Sequence, residues 1–327
     1  MKNVKVILIG VALCATVFAN ARINALGGDA GFWAGDRANA AIFPGTLNDA
    51  NWVEFGGVDG ATQGADGAND GSMTGSINWG DEEKWGFNFN TSADNHDWMN
   101  MSWAKNGMGV SVGFVSSAGG DANANSDVSG FDVAWGSSFS FGELGVGYNT
   151  NTVGDGDAVT LLWANWRGDC NAWVFDKSKA GFWMDDDDMG LSYDLFTHIT
   201  PADGVTALVG MGFEYKTTGT GTAAGDGTEI WLPNATLAVE AAMTDWATFR
   251  GFVSQDHLVS CDDDGTDCGS NNATNYGFGV GFGWQAANGS SINLDAGVSN
   301  GLFTDPISTM TGFGSLNTGE VTLSYTF

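Results

Sequence analysis

Two acidic runs are the residues best suited to chemistry. Asp185 to Asp188 are four consecutive carboxylates, and Asp262-Asp263-Asp264-Gly265-Thr266-Asp267 stands between Cys261 and Cys268. Such a density of hard oxygen ligands suits Ca²⁺, with Asp262, Asp264 and Asp267 as the candidate ligands. The second run looks somewhat like an EF-hand loop, but no Glu stands at the twelfth position and the cysteines close it early. A solvated, self-repelling loop is the competing reading. Cys261 and Cys268 share one loop and can pair in an oxidising compartment, which leaves Cys170 over.

Catalytic arrangements find little support. His96, His198 and His257 are scattered, and neither a Gly-x-Ser-x-Gly elbow nor a His-Glu-x-x-His pair stands in the chain. The many Gly-x-Gly runs, such as Gly277 to Gly283, alternate with aromatics as strands do and open no helix, so they are not phosphate loops. The expectation is a protein without enzymatic activity or a resident cofactor, Ca²⁺ in outer loops aside. The chain carries 39 acidic against 11 basic residues, a net charge of -28. Nucleic acid is excluded as a partner by that balance, because a phosphate backbone needs a basic footprint.

The remaining polar residues recur at every second position within apolar segments. Sixteen alternating segments run over 52–58, 72–79, 84–91, 97–104, 107–116, 130–139, 143–151, 157–166, 171–177, 190–199, 204–216, 228–243, 245–258, 274–284, 290–298 and 319–327. Met108-Val110-Val112-Phe114 and Tyr276-Phe278-Val280-Phe282-Trp284 show the period most clearly. Period-two alternation reads as strands with one apolar face. The connections alternate between short turns, such as Asn106-Gly107, and longer Gly/Asp-rich loops, such as 59–71 and 259–273. That arrangement predicts an all-β, transmembrane, antiparallel up-and-down β-barrel of sixteen strands, or fourteen if one hairpin is merged. Trp79, Trp85, Trp103, Trp166, Trp246 and Trp284 cluster near the short turns, as an interfacial aromatic belt would.

With large apolar side chains facing lipid, the opposite parity lines the interior. That face includes Glu54, Asp132, Asp194, Glu214, Lys216, Arg250 and Asp295, with Asn88, Asn90, Asn100, Ser102, Asn149 and Asn293. Acids outnumber bases, and low-dielectric walls focus their field, so an aqueous path there prefers cations or neutral polar solutes over anions. Hydrated or wall-bracing residues are the bland alternative. Arg250 is the most specific member, since an arginine opposite Phe249, Gly251 and Val253 needs an interior carboxylate.

The two ends set the compartment. Lys2 and Lys5 precede an apolar run from Val6 to Phe18 and the small-residue motif Ala19-Asn20-Ala21, so residues 1–21 read as a signal peptide with cleavage before Arg22. Residues 22–51 then differ from the alternating remainder, 52–327. At the other end, Val321, Leu323, Tyr325 and Phe327 share one face of a strand that stops on an aromatic residue. It resembles the closing strand of bacterial outer-membrane barrels, which implies recognition by the barrel-assembly machinery and residence among outer-membrane lipid.

Residues 22–51 carry a second resemblance. Arg22-Ile23-Asn24-Ala25-Leu26-Gly27-Gly28, then Asp36, then Ile42-Phe43-Pro44-Gly45-Thr46-Leu47 is similar to the mature N-terminus of FadL-like outer-membrane transporters. The chain departs from that pattern where Phe43 replaces an Asn before Pro44 and Thr46 precedes Leu47. The resemblance implies a hatch folded in the lumen, with Arg22, Asp36, Phe43 and Pro44 as its marker residues, although that family's usual barrel has fourteen strands. Resemblance to porins also implies a homotrimer, which no patch in the sequence demands. The expected function is passive diffusion of small solutes through an acidic, cation-preferring or hatch-gated channel. A non-transporting scaffold or adhesion barrel with acidic, Ca²⁺-binding loops is the rival from another class.

Overall fold

Segments that alternate at period two build the wall, because each can turn one face to lipid and the other inward. The computed structural model describes residues 20–56, 73–91, 98–117, 128–153, 158–185, 188–218, 227–263, 273–299 and 319–327. Its strands are β1 (Trp52–Gly56), β2 (Met73–Gly80), β3 (Glu83–Thr91), β4 (Trp98–Lys105), β5 (Met108–Ser117), β6 (Val128–Phe139), β7 (Gly142–Val153) and β8 (Val159–Ala172). They continue as β9 (Phe175–Asp185), β10 (Asp188–Ala202), β11 (Val205–Thr218), β12 (Gly227–Thr244), β13 (Ala247–Asp263), β14 (Ala273–Gln285), β15 (Ser291–Ser299) and β16 (Gly319–Thr326). Each strand pairs with its sequence neighbours, and β1 pairs with β16 to close a sixteen-strand barrel. The closing register sets Val53 against Tyr325 and Phe55 against Leu323. Closure removes the unpaired N–H and C=O groups that hydrocarbon would leave unsatisfied.

Burial is inverted relative to a water-soluble protein. Phe55, Met101, Val112, Phe114, Phe131, Leu191, Leu237 and Leu323 are exposed on the outer face. Their neighbours one residue away, among them Glu54, Asn100, Ser102 and Ser324, are buried within. Trp79, Trp85, Trp246 and Trp284 are exposed outward beside short turns, and Trp79 faces Trp85 across the β2–β3 pair. An apolar outer band with aromatic residues at its edge, on a closed antiparallel barrel, is the architecture of the bacterial outer membrane. In such barrels short turns and chain termini lie on the periplasmic side. No described helix is long and apolar enough to cross a membrane.

One strand departs from its predicted place. The sequence sets the ninth segment at 171–177 with an acidic loop over 178–189, whereas β9 is Phe175–Asp185 and the turn is Trp173-Val174. The alternation is hidden because the inward side chains here are charged: Arg167 pairs with Glu143, Lys177 with Asp169, and Lys179 with Asp194. Trp173 takes the left-handed turn position at φ 58°. Asp185 and Asp188 are consequently strand ends that face each other in the β9–β10 register, not loop residues.

Residues 20–51 form short helical turns inside the barrel. Asn20 caps Ala21–Asn24 by accepting from the Ile23 N–H, and Asp29 caps the 3₁₀ turn Ala30–Phe32 by accepting from the Gly31 N–H. Gly27 and Gly28 have φ of 108° and 82°, where a side chain would be strained, so this pair reverses the chain. Pro44 opens a second 3₁₀ turn, Pro44–Asp49, with its ring at a position that needs no N–H donor.

Candidate functional site

The interior is occupied at the short-turn end by residues 20–51, and two kinds of contact seat them. The first is apolar. Ile23, Leu26, Phe32, Trp33 and Leu47 join Trp52, Phe196, Leu208 and Ala238 of the wall in one buried cluster. Leu26 and Leu47 are each 1% exposed, worth roughly 2 kcal/mol apiece as an upper estimate. Phe32 meets Phe196 edge-on at 5.1 Å, and Trp33 meets His198 at 4.9 Å. The wall makes room through glycines. A Cβ on Gly109 would lie 2.2 Å from the Pro44 carbonyl oxygen, and one on Gly145 would lie 1.8 Å from that of Ile42.

The second kind is ionic, and it absorbs much of the acidic lining. Arg22 pairs with Asp36 inside the segment and with Glu240 of β12. Arg37 reaches Glu54 of β1 at 3.2 Å and donates to Ser324 of β16 at 2.7 Å. Asp29 pairs with Lys179 of β9 at 2.7 Å, and Lys179 also holds Asp194 at 2.8 Å. Arg167 donates to the Gly31 carbonyl and to Asn39 Oδ1 and lies over the Phe43 ring. Burial works against the ionised form of Asp29, but the Lys179 ammonium and the Gly31 N–H outweigh it and hold the carboxyl below its ordinary value. Asp49 moves the other way, pushed up by burial and then by the nearby Glu143 carboxylate.

The interior residues expected from the sequence are thus largely wall-to-segment or wall-to-wall partners. Glu54, Asp194, Arg250 and Asp295 stand in ion pairs, and Arg250 has the interior carboxylates its position demands, Asp295 at 2.5 Å and Glu240 at 2.6 Å. Glu214 and Lys216 pair along β11 at 3.0 Å. Asp132 instead accepts a hydrogen bond from Asn100, whose amide oxygen is shared by Ser102 and Ser111. Of the hatch markers, Arg22 and Asp36 pair with each other, while Phe43 and Pro44 pack on β6 and β7 near Gly136 and Gly145.

Asp29, Arg37, Glu143, Arg167, Lys179 and Glu240 carry the seating equally and are not evident from the sequence. Lys179 lies in the strand whose position the alternation hides; Glu240 shares the inward parity of Ala238 and could be found that way. The Ca²⁺ expectation falls mainly outside the described residues. Only the backbone of Asp262 lies within, at the end of β13, while Asp264, Asp267 and Cys268 lie beyond. Cys261 is disulfide-bonded and Cys170 is free. Among the described residues no group of three His, Cys, Asp or Glu side chains is arranged to hold a metal.

Between the inner segment and the wall of β8, β9 and β10 lies a cavity of about 130 Å³. Its lining combines Asp29, Ile42 and Phe43 of the segment with Asn165, Lys179 and Ser192 of the wall.

No protein-family model and no curated protein matches the chain. Among solved structures it is similar to a bacterial polysaccharide outer membrane secretin, with TM-score 0.48, 11% identity, and coverage of 86% of this chain and 98% of that one. A Pseudomonas aeruginosa FadL homologue gives TM-score 0.37 at 11% identity, over 94% of this chain and 98% of the other. The Pseudomonas putida toluene transporter TodX gives TM-score 0.43 at 12% identity, over 94% and 97%.

Proposed function

We propose that the chain is a passive outer-membrane channel for small polar solutes, gated by residues 22–51. The observation that carries this reading is the seating of that segment: it is held by discrete ion pairs to β1, β9 and β12, and each is a contact that can be broken singly. A sixteen-strand barrel is wide enough for an aqueous lumen once its occupant moves. Asp132, hydrogen-bonded to Asn100 with no cation within reach among the described residues, supports a preference for cations and neutral solutes over anions.

The burial of Leu26, Leu47 and Phe32 favours a second reading, a non-transporting scaffold barrel permanently closed by the same residues. Bilayer conductance of the full chain beside a chain lacking residues 22–51 separates the two. A small or flickering current that becomes large and steady on deletion supports the gated channel. Equal currents in both remove the gate, and no current in either leaves the scaffold. Reversal potentials that show anion selectivity would remove the charge preference.

A further inference from the structure

Two tryptophans stand over the interior cavity with no structural task that accounts for them. Trp163 of β8 and Trp183 of β9 are direct cross-strand partners. Each is two residues outward from a cavity-lining residue of its own strand, Asn165 and Gly181, and therefore points into the same lumen. Neither belongs to the buried cluster that seats residues 20–51. Each indole turns away from the other and lies against a glycine of the next strand. A Cβ on Gly147 would fall 2.3 Å from the Trp163 ring, and one on Gly190 would fall 2.1 Å from Trp183 Nε1. Each ring is thus seated against bare backbone through its Nε1, Cε2 and Cζ2 atoms, while the residue stays half-buried on the lumen side. A third indole, Trp231, continues the wall, with the Lys216 ammonium 5.9 Å from its ring and its N–H donated to Glu229 at 2.9 Å.

Below the paired indoles the polar groups are neutral or already neutralised. The Asn165 and Ser192 side chains have no hydrogen-bond partner among the described residues, yet both residues line the cavity. Lys179 is paired with both Asp29 and Asp194, so an anion would have to displace a carboxylate and a cation would have to displace the ammonium. An apolar solute would strip water from Asn165, Ser192 and the Lys179 pair without replacing its hydrogen bonds. The wall therefore suits a neutral molecule with a flat C–H face for an indole and a hydroxyl edge for the amide, the hydroxyl and the ion pair. A pyranose has both.

We propose that Trp163 and Trp183, with Asn165 and Ser192 beneath them, form a carbohydrate-binding site on the solute path, where a sugar ring stacks on an indole and its hydroxyl edge enters the cavity over residues 29–43. The proposal rests on the reading of the interior as a solute path, but its test does not need conduction.

The full chain, purified in a detergent without a sugar headgroup, is titrated calorimetrically with maltose and with glucose. Saturable, millimolar binding is expected. It falls at least tenfold in W163A and W183A, falls less in the N165A/S192A double variant, and is largely kept in W163F and W183F, which retain a ring. Heat-modifiable gel mobility confirms that each variant is a folded barrel. Absence of heat with either sugar overturns the proposal, as does binding indifferent to Trp163 and Trp183, or binding of toluene in place of both sugars. Sugar binding without conductance removes the transport reading and leaves this site; conductance without sugar binding does the reverse.

Discussion

Arg22 Nε lies 3.0 Å from Glu240 Oε2, an ion pair that joins the inner segment to β12 through a carboxylate that also accepts from Arg250 at 2.6 Å. Glu240 is therefore the point at which seating of the segment and bracing of the wall meet. Glu240→Gln leaves Arg22 with Asp36 and Arg250 with Asp295, so neither guanidinium is stranded. With its side chain 25% exposed, the lost pairing is worth about 2 kcal/mol, between the values for surface and buried pairs. The closed-to-open ratio in bilayer recordings falls by about tenfold or more. An unchanged open fraction would show that the pair does not hold the gate.

Asp295 is the deeper partner. Its side chain is 5% exposed and that of Arg250 10% exposed. Asp295→Asn weakens the wall between β13 and β15 by about 3 kcal/mol, because it removes the more buried of the two carboxylates and leaves Arg250 to share Glu240 with Arg22. The temperature at which the folded gel band converts to the unfolded one drops, and by more than in Glu240→Gln. The opposite order would place the stabilising contact on Glu240.

Acidification acts on the segment in two steps of opposite sign. Asp49, raised above its ordinary 3.8, is disfavoured when ionised in the seated segment, so its protonation relieves a cost as pH falls from neutral through that raised value. Asp29 is held below 3.8; its contribution is complete above that value and is lost as pH falls through the lowered one. Open probability accordingly dips between neutrality and about pH 4 and rises below it. Asp29→Asn shallows the rising limb, since the wall carboxylates Glu54 and Glu240 also hold the segment. A monotonic profile in the parent chain would show that these two carboxyls do not control seating.

A methyl group on the wall tests the seating without touching any charge. Ile42 O, Ile42 C and Phe43 Cα are the nearest atoms to a Cβ on Gly145, at 1.8, 3.0 and 3.5 Å. Gly145→Ala must therefore displace the segment and not the strand. Its barrel keeps the heat-modifiable shift, while steady conductance rises toward that of the chain lacking residues 22–51. A variant that stays closed would mean that the segment shifts locally and remains seated.

The maturation point is open to direct measurement. Asn20 and Ala21 sit in the predicted cleavage motif, yet Asn20 is 2% exposed, caps the first helical turn and donates to Asp36, while the Ala21 N–H donates to Thr322 Oγ1 at 2.9 Å. Val17-Phe18-Ala19 also offers small residues at the positions a signal peptidase reads, so cleavage after Ala19 keeps these contacts. Intact mass of the purified barrel should give Asn20 as the first residue. Arg22 as the first residue would mean that the cap is absent from the mature protein.

The sequence by itself determined the wall. Period-two alternation assigns Phe55, Val112 and Leu323 to one face and Glu54, Ser111 and Thr322 to the other, and lipid outside with water inside makes that assignment binding on every strand. A count of sixteen or fourteen strands, closure of the first strand on the last and the inward place of Arg250 follow from it, and the closed structure settles the count at sixteen. The alternation fails at β9, since Lys177 and Lys179 on its inner face resemble a loop until their partners Asp169 and Asp194 are known. What only the tertiary structure decided is which charge meets which. Asp29 and Lys179 are 150 residues apart, Arg22 and Glu240 are 218 apart, and no local pattern encodes either pair. Barrel curvature and the fold of residues 20–51 bring them together, and the low dielectric between them strengthens the few contacts that seat the segment in the interior.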